Sequence, residues 1–179
     1  MYGLVNKAIC DFITSNFGQE TWEIIAQKAQ ADESFLSMDA YPDELTYRLV
    51  GVISEHLKMP AEKVLEVFGE YWVTFTGQQG YGAVMKMSGN NAKDFLANLN
   101  DMHVRVKATM PELQPPKFAV TDVTTNSLTL HYKTVRQGLA PMVLGLVKGV
   151  GKMFNQELAV EHVRTESTNP VHEVFTVRF

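Results

Sequence analysis

The chain has 179 residues, of which 45% are hydrophobic and 20% charged, so it can bury a real core and has the composition of a globular domain. The net charge of -4 argues against general nucleic-acid binding, because nucleic-acid-binding proteins usually present a basic face. A single cysteine excludes an internal disulfide and any zinc or iron–sulfur site built from cysteines.

Targeting and membrane signals are also absent from the sequence. The first residues do not combine a charged segment with a long apolar run, so we expect no signal peptide. No apolar stretch reaches the roughly 18 residues that indicate a membrane span. We therefore expect a cytoplasmic protein that contacts neither membrane nor nucleic acid.

The first half of the chain shows the apolar spacing that is typical of amphipathic helices. Four helices are predicted before a glycine-rich break at 77–82, and Pro60 stands at the start of the fourth. A further apolar stripe over 92–106 predicts a continuous helix that carries Leu96, Leu99 and His103 on one side. The prolines that begin at 111 end this helical region.

The apolar period changes to two from Phe118 onward, which predicts strands. One hairpin is expected over 118–132 and a second over 158–179, with a helix opened by Pro141 between them. In this helix Gly145 and Gly149 would allow a second backbone or a flat ligand to come close. Helices followed by antiparallel strands indicate an α+β fold.

The strongest candidate binding residues lie near the centre of the chain. In an extended strand Tyr132, Thr134 and Arg136 project to the same face, where two hydroxyls and a guanidinium can hold a carboxylate. About thirty residues upstream, His103 lies on an apolar helix face where leucine is usual. An imidazole and a carboxylate clamp are what a haem requires, an axial ligand and a propionate anchor. From the spacing alone, a buried acidic ligand and a merely structural histidine remain equally favoured.

Other candidate chemistry is weak. His162 and His172 lie on neighbouring predicted strands and could form a metal pair, but a closed zinc site needs four ligands and no cysteine supports one. His131 is expected on the strand face opposite Tyr132. The chain contains no glycine-rich phosphate loop, no H-E-x-x-H and no G-x-S-x-G motif, so the sequence indicates no enzyme.

With these residues in view, the whole chain resembles the haem-nitric oxide/oxygen-binding (H-NOX) family, whose members include the haem domain of soluble guanylate cyclase. The resemblance rests on the start Met1-Tyr2-Gly3-Leu4-Val5-Asn6, on the His103 helix, on Pro116, on the Tyr132-x-Thr134-x-Arg136 clamp and on Gly138-Leu139-Ala140-Pro141. The usual clamp is Tyr-x-Ser-x-Arg. Here threonine retains the hydroxyl and adds a methyl group.

The resemblance implies a single H-NOX domain over 1–179, with a helical distal subdomain over about 1–65 and a haem-anchoring subdomain over about 66–179. It implies haem b (iron protoporphyrin IX) buried between them, with His103 as the proximal iron ligand. Tyr132, Thr134 and Arg136 would hold the propionates, and Pro116 would press on the porphyrin. The candidates for the distal wall are looser matches: Val5, Trp72, Met142 and Leu146.

The same resemblance implies a gas preference. Bound oxygen benefits from a hydrogen-bond donor, and oxygen-binding relatives supply a tyrosine from the helix after the clamp arginine. No tyrosine follows Tyr132 here, and Met142 and Leu146 offer no donor. We therefore expect binding of nitric oxide and carbon monoxide with discrimination against oxygen, unless the Trp72 indole or Tyr71 donates into the pocket.

The output is left open by the sequence. Stand-alone bacterial members of the family suggest a histidine kinase or a cyclic-di-GMP enzyme as the partner. A haem or gas carrier without output, an oxygen-binding H-NOX protein, a metal-dependent enzyme and a plain interaction module are the alternatives.

Overall fold

The computed structural model describes every residue from Met1 to Phe179, and it divides the chain into two compact units, Met1–Phe68 and Gly69–Phe179. The helices are α1 (Gly3–Phe17), α2 (Gln19–Ala29), α3 (Asp43–Leu57), α4 (Ala61–Thr76), α5 (Gly82–Lys86), α6 (Ala92–Ala97), α7 (Leu99–Lys107) and α8 (Ala140–Met153). The strands are β1 (Lys117–Thr121), β2 (Ser127–Thr134), β3 (Ala159–Glu166) and β4 (Val171–Arg178). The predicted α+β class is confirmed. No helix is both long enough and apolar enough to traverse a lipid bilayer.

The first unit is helical, as the apolar spacing predicted. Helix α2 packs against both α1 and α3. The core between them contains fully buried apolar side chains, including Trp22 and Leu49. The indole Nε1 of Trp22 still finds a partner, since it donates to the Glu33 carbonyl at 2.8 Å. In the same unit the fully buried Asn6 accepts a hydrogen bond from the Thr46 hydroxyl at 2.7 Å.

The second unit contains one antiparallel sheet with the strand order β1-β2-β4-β3. Both predicted hairpins are present, and β2 joins β4 at the centre of the sheet. Leu130 pairs with Phe175, and both are fully buried, so one face of the sheet forms the core of this unit. On β2 the alternation of buried and less buried residues continues to Thr134, as expected for a strand covered on one face.

The helix predicted over 92–106 is in fact two helices, and this part of the prediction was wrong. Asn91 caps α6, because its side chain accepts a hydrogen bond from the Asp94 backbone N–H at 2.9 Å. At Asn98 the backbone leaves helical geometry, and the Asn98 side chain donates to the Ser88 carbonyl at 3.0 Å. Helix α7, which carries His103, therefore starts at Leu99 with its own direction.

Two glycines allow α8 to meet the second half of α4 backbone to backbone. A Cβ atom added to Gly149 would lie 2.8 Å from the Glu70 carbonyl oxygen, and one added to Gly69 would lie 2.2 Å from the Met142 carbonyl oxygen. Both distances are shorter than ordinary van der Waals contact, so the helices approach as closely as they do because no side chain separates them. This bears out the expectation that Gly149 admits a second backbone.

We predict opposite effects of alanine at two helical glycines. Gly149→Ala should lower the free energy of unfolding by about 1–3 kcal/mol, because its methyl group meets the α4 backbone. Gly51→Ala in α3 should raise it by about 0.5–1 kcal/mol, since a Cβ there meets no atom within 4 Å and alanine favours the helix. Denaturant unfolding of both variants would check this, and a stabilised Gly149→Ala would contradict it.

Candidate functional site

His103 lies on α7 with its imidazole half-buried. Its Nδ1 atom is fully buried and has no hydrogen-bond partner. Burial lowers the pKa of His103, and the Pro116 backbone carbonyl, acting as an acceptor toward the ring, opposes this shift. The ring is therefore neutral at neutral pH. A neutral imidazole with an unpartnered nitrogen can serve as a metal ligand.

The neighbouring strand holds this helix through Asn100, which lies one turn before His103. The Asn100 Oδ1 accepts the Phe118 backbone N–H at 2.8 Å, and its Nδ2 donates to the Phe118 carbonyl oxygen. One side chain thus pairs with both backbone groups of a β1 residue, as a neighbouring strand would.

Three rings follow one another from α7 to the sheet. The His103 and Phe118 centroids are 5.8 Å apart, and those of Phe118 and Tyr132 are 5.2 Å apart. Phe118 and Tyr132 are paired residues of β1 and β2, so they share one face of the sheet. The structure therefore brings His103 and Tyr132 against the same phenylalanine ring.

The predicted clamp is divided between a strand and a bend. Tyr132 and Thr134 are both buried on the core face of β2, as the alternation predicted. Arg136 lies beyond the strand, whose last residue is Thr134, and its backbone N–H donates to the Thr134 Oγ1 at 3.1 Å. The expectation of a single strand face for all three was therefore wrong for Arg136.

The Arg136 side chain turns toward the segment before β1. Its Nη1 donates to the Gln114 carbonyl oxygen at 3.0 Å, two residues before Pro116. Pro116 in turn presents its carbonyl to His103. The guanidinium and the imidazole therefore contact the same short segment from different elements. A guanidinium is a fixed fork of donors that matches a carboxylate.

Three of the four distal-wall candidates lie where α4 meets α8. Met142 and Leu146 lie one turn apart on α8, and their backbone atoms are the ones that a Cβ on Gly69 would meet. Trp72 follows Gly69 by one turn of α4 and is stacked on Phe75 at 6.3 Å. Trp72, Met142 and Leu146 are all only half-buried, although they are large and apolar. Val5 belongs to α1 of the first unit.

The sequence reasoning missed three residues that shape this site, Asn100, Gln114 and Phe118. In the sequence Asn100 is an ordinary polar residue of a helix. Its function comes from the hydrogen bond to Phe118, which lies 18 positions further along the chain. Gln114 acts through its backbone carbonyl, which any residue type would supply. Only Phe118, an apolar residue at the start of a predicted strand, had a signal in the sequence.

The donor set suits a haem better than a bare ion. No group of three or more histidine, cysteine, aspartate or glutamate side chains could hold a metal ion, which leaves His103 as a single protein ligand near the site. A haem needs only this from the protein, because the porphyrin supplies the other ligands in its plane, and its propionates need hydroxyls and a guanidinium. The unpartnered His103 nitrogen and the clamp residues therefore fit this cofactor.

Comparison with known proteins agrees with this fit. The model of the family described as haem-NO-binding matches residues 2–162. Soluble guanylate cyclase gcy-37 of Caenorhabditis elegans is 30% identical over 187 residues, covering 99% of this chain and 26% of that protein. Soluble guanylate cyclase 89Db of Drosophila melanogaster is 25% identical, covering 86% of this chain and 23% of that protein. The chain thus spans about a quarter of the length of these relatives.

Solved structures show the same fold. An H-NOX protein from S. oneidensis, solved in the Fe(II)NO ligation state, has a TM-score of 0.88 at 19% identity and covers 99% of this chain and 98% of that one. A point mutant of an H-NOX protein from K. algicida, in its unliganded Fe(II) state, has a TM-score of 0.85 at 21% identity and covers 100% of this chain and 97% of that one. The chain belongs to the haem-NO-binding (H-NOX) family of haem-binding gas sensors, related to the haem domains of soluble guanylate cyclase.

We predict that haem retention depends on the Thr134 hydroxyl and does not depend on its methyl group. Thr134→Val removes the acceptor of the Arg136 backbone N–H while keeping the shape, and should lower the free energy of unfolding by about 0.5–1.5 kcal/mol. Thr134→Ser keeps the hydroxyl and should bind haem as the original does. Equal haem retention by the valine and serine variants in a transfer assay to apomyoglobin would contradict this assignment.

Proposed function

We propose that this protein is a haem-based gas sensor which binds nitric oxide and carbon monoxide at ferrous haem b, discriminates against oxygen and signals to a separate protein. The observation that carries the proposal is the neutral, half-buried His103 imidazole with an unpartnered nitrogen, placed on the same segment that Arg136 contacts. Membership in a haem-binding family supports the choice of cofactor.

In this proposal the chain's residues divide into a ligand and an anchor. His103 would bind the haem iron, and Tyr132, Thr134 and Arg136 would hold the propionates. Pro116, whose carbonyl faces His103, would press on the porphyrin. The ligand and the anchor are linked through Phe118, because the His103 and Tyr132 rings both contact its ring.

The gas preference follows from the side chains proposed for the distal wall. Oxygen bound to ferrous iron is polarised and gains from a hydrogen-bond donor, whereas nitric oxide needs none. Met142 and Leu146 on α8 carry no donor. The Trp72 indole on α4 carries a donor, and its N–H is the group that would have to be turned away from bound oxygen.

The response is proposed to begin at His103. Haem held by His103 would supply the iron that binds nitric oxide, and gas binding would loosen the hold of His103 on it. Helix α7 would then remain joined to β1 by the Asn100 pairing with Phe118. The Asn100 side chain would therefore couple a movement of α7 to the edge of the sheet.

The output is proposed to lie in another protein. The curated relatives are guanylate cyclases of which this chain covers about a quarter, so their whole activity does not transfer to it. The residue pattern contains no catalytic motif, and we propose a histidine kinase or a cyclic-di-GMP enzyme as the partner. Titration of nitric oxide into a mixture with such a partner separates a sensor from a haem or gas carrier, because a carrier changes no partner activity.

We predict that His103→Gly gives folded protein that loses haem during purification and regains its ferrous spectrum when imidazole is added. Glycine leaves a space where the His103 imidazole was, and free imidazole can occupy that space and replace the lost ligand. His56→Ala on α3 is the matched control, because it removes a half-buried histidine of the other unit and should leave the spectrum unchanged. An unaltered ferrous spectrum in His103→Gly without imidazole would reject the assignment.

We predict that a single hydroxyl on α8 changes the gas preference. The original protein should form no stable oxygen complex in air-saturated buffer, whereas Met142→Tyr should form one, because the phenol donates to bound oxygen. Met142→Phe is the control, with the same ring and no hydroxyl. Absorbance spectra of the reduced proteins would decide, and a stable oxygen complex in the original or in the phenylalanine variant would refute the donor argument.

A further inference from the structure

A second cluster of titratable groups crosses the sheet on the face opposite Tyr132. The Thr121 hydroxyl on β1 lies 2.9 Å from His131 Nε2 on β2, and His131 Nδ1 lies 3.0 Å from His172 Nε2 on β4. His172 Nδ1 is then 2.8 Å from the Glu166 Oε2 on β3. One line of polar contacts therefore includes a side chain from every strand.

This line is one proton short when both imidazoles are neutral and both carboxyl groups are ionised. Thr121 also donates to the Asp122 Oδ2 at 2.9 Å, so the line ends in a carboxylate on each side. It contains four contacts, and each needs one proton, but the threonine and two neutral imidazoles supply only three. With Thr121 bonded to Asp122 and His172 bonded to Glu166, two nitrogen lone pairs face each other between His131 and His172.

Two facing imidazole lone pairs are the arrangement found at a metal ion. Nitrogen atoms bound at about 2.0–2.1 Å to one ion are roughly 2.9–3.4 Å apart in square-planar and tetrahedral sites, and His131 Nδ1 and His172 Nε2 are 3.0 Å apart. Metal-binding histidines usually give their other ring nitrogen to a carboxylate or another oxygen, which fixes the tautomer. Glu166 does this for His172, and Thr121 does it for His131.

We propose that His131 and His172 bind a divalent transition-metal ion of the zinc and copper class, with water completing the coordination. Imidazole is a ligand suited to these ions, and two ligands with their partners in place leave little to rearrange. The two histidines are half-buried on the sheet, with open positions toward the solvent. The site is separate from the proposed haem site, because it uses the other face of β2.

At His131 the surroundings favour the neutral imidazole that a metal requires. Burial lowers the pKa of His131 most, followed by the charges of His172, Arg164 and Lys133, whereas Asp122 acts in the opposite direction. Arg164 on β3 and His172 on β4 both lower the pKa of the Glu166 carboxyl group, which is therefore ionised beside His172.

The test is zinc binding to the haem-loaded, carbon monoxide-bound protein, measured by equilibrium dialysis with metal analysis at pH 7.5. We expect one zinc ion per chain at this site, lost in His131→Ala and in His172→Ala. Glu166→Gln should weaken binding by roughly tenfold or more, because it removes the carboxylate behind His172. Binding should also weaken below about pH 6.5, where protons compete for the imidazoles.

His56→Ala and His162→Gln are the controls, since both remove a histidine outside the pair and should leave the zinc stoichiometry unchanged. The proposal is overturned if the protein binds no zinc under these conditions, because a proton alone then supplies the positive charge that the pair lacks. It is also overturned if the zinc survives loss of either histidine. Neither outcome bears on haem binding, which the His103 variant tests separately.

Discussion

The arrangement of the candidate haem site depends on the pairing of Asn100 with the backbone of Phe118. This side chain satisfies both the N–H and the carbonyl of an edge-strand residue, groups that a neighbouring strand would otherwise take. It thereby fixes α7, a helix of 9 residues that is too short to be stable alone, against a strand. The positions of His103 and Tyr132 follow, because each packs on the ring of the same Phe118.

Local periodicity was enough to predict most elements of the fold. The apolar spacing gave the helices of the first unit, and the change of period at Phe118 gave both hairpins of the sheet. It failed at Asn98, where the apolar stripe runs on although the backbone turns. A side-chain bond from Asn98 to Ser88, ten positions away, compensates for the interrupted helix, and no pattern within the stripe records such a bond.

The candidate site was predictable in its residues and less so in its geometry. Strand alternation placed Tyr132 and Thr134 together, but it could not show that β2 ends before Arg136. The metal pair of His162 and His172, which the sequence analysis weighed and set aside, does not form, and the reason is related. His162 pairs in register with Phe175 and bonds to Glu173 at 2.8 Å on the core face, whereas His172 lies on the other face and meets His131. The register of the strands decides which histidines meet, and that register is set by pairing between residues far apart in the sequence.

The histidines of the second unit differ most in what supports their second nitrogen. His162 bonds to Glu173 and His172 bonds to Glu166, and a carboxylate in this position makes an imidazole a stronger ligand. His103 faces only the carbonyl of Pro116, in a setting where burial lowers its pKa. As the axial ligand proposed here, it would therefore bind iron more weakly than a carboxylate-supported histidine. A weak bond is a defect in a structural metal site, but a sensor that responds by releasing its histidine requires one.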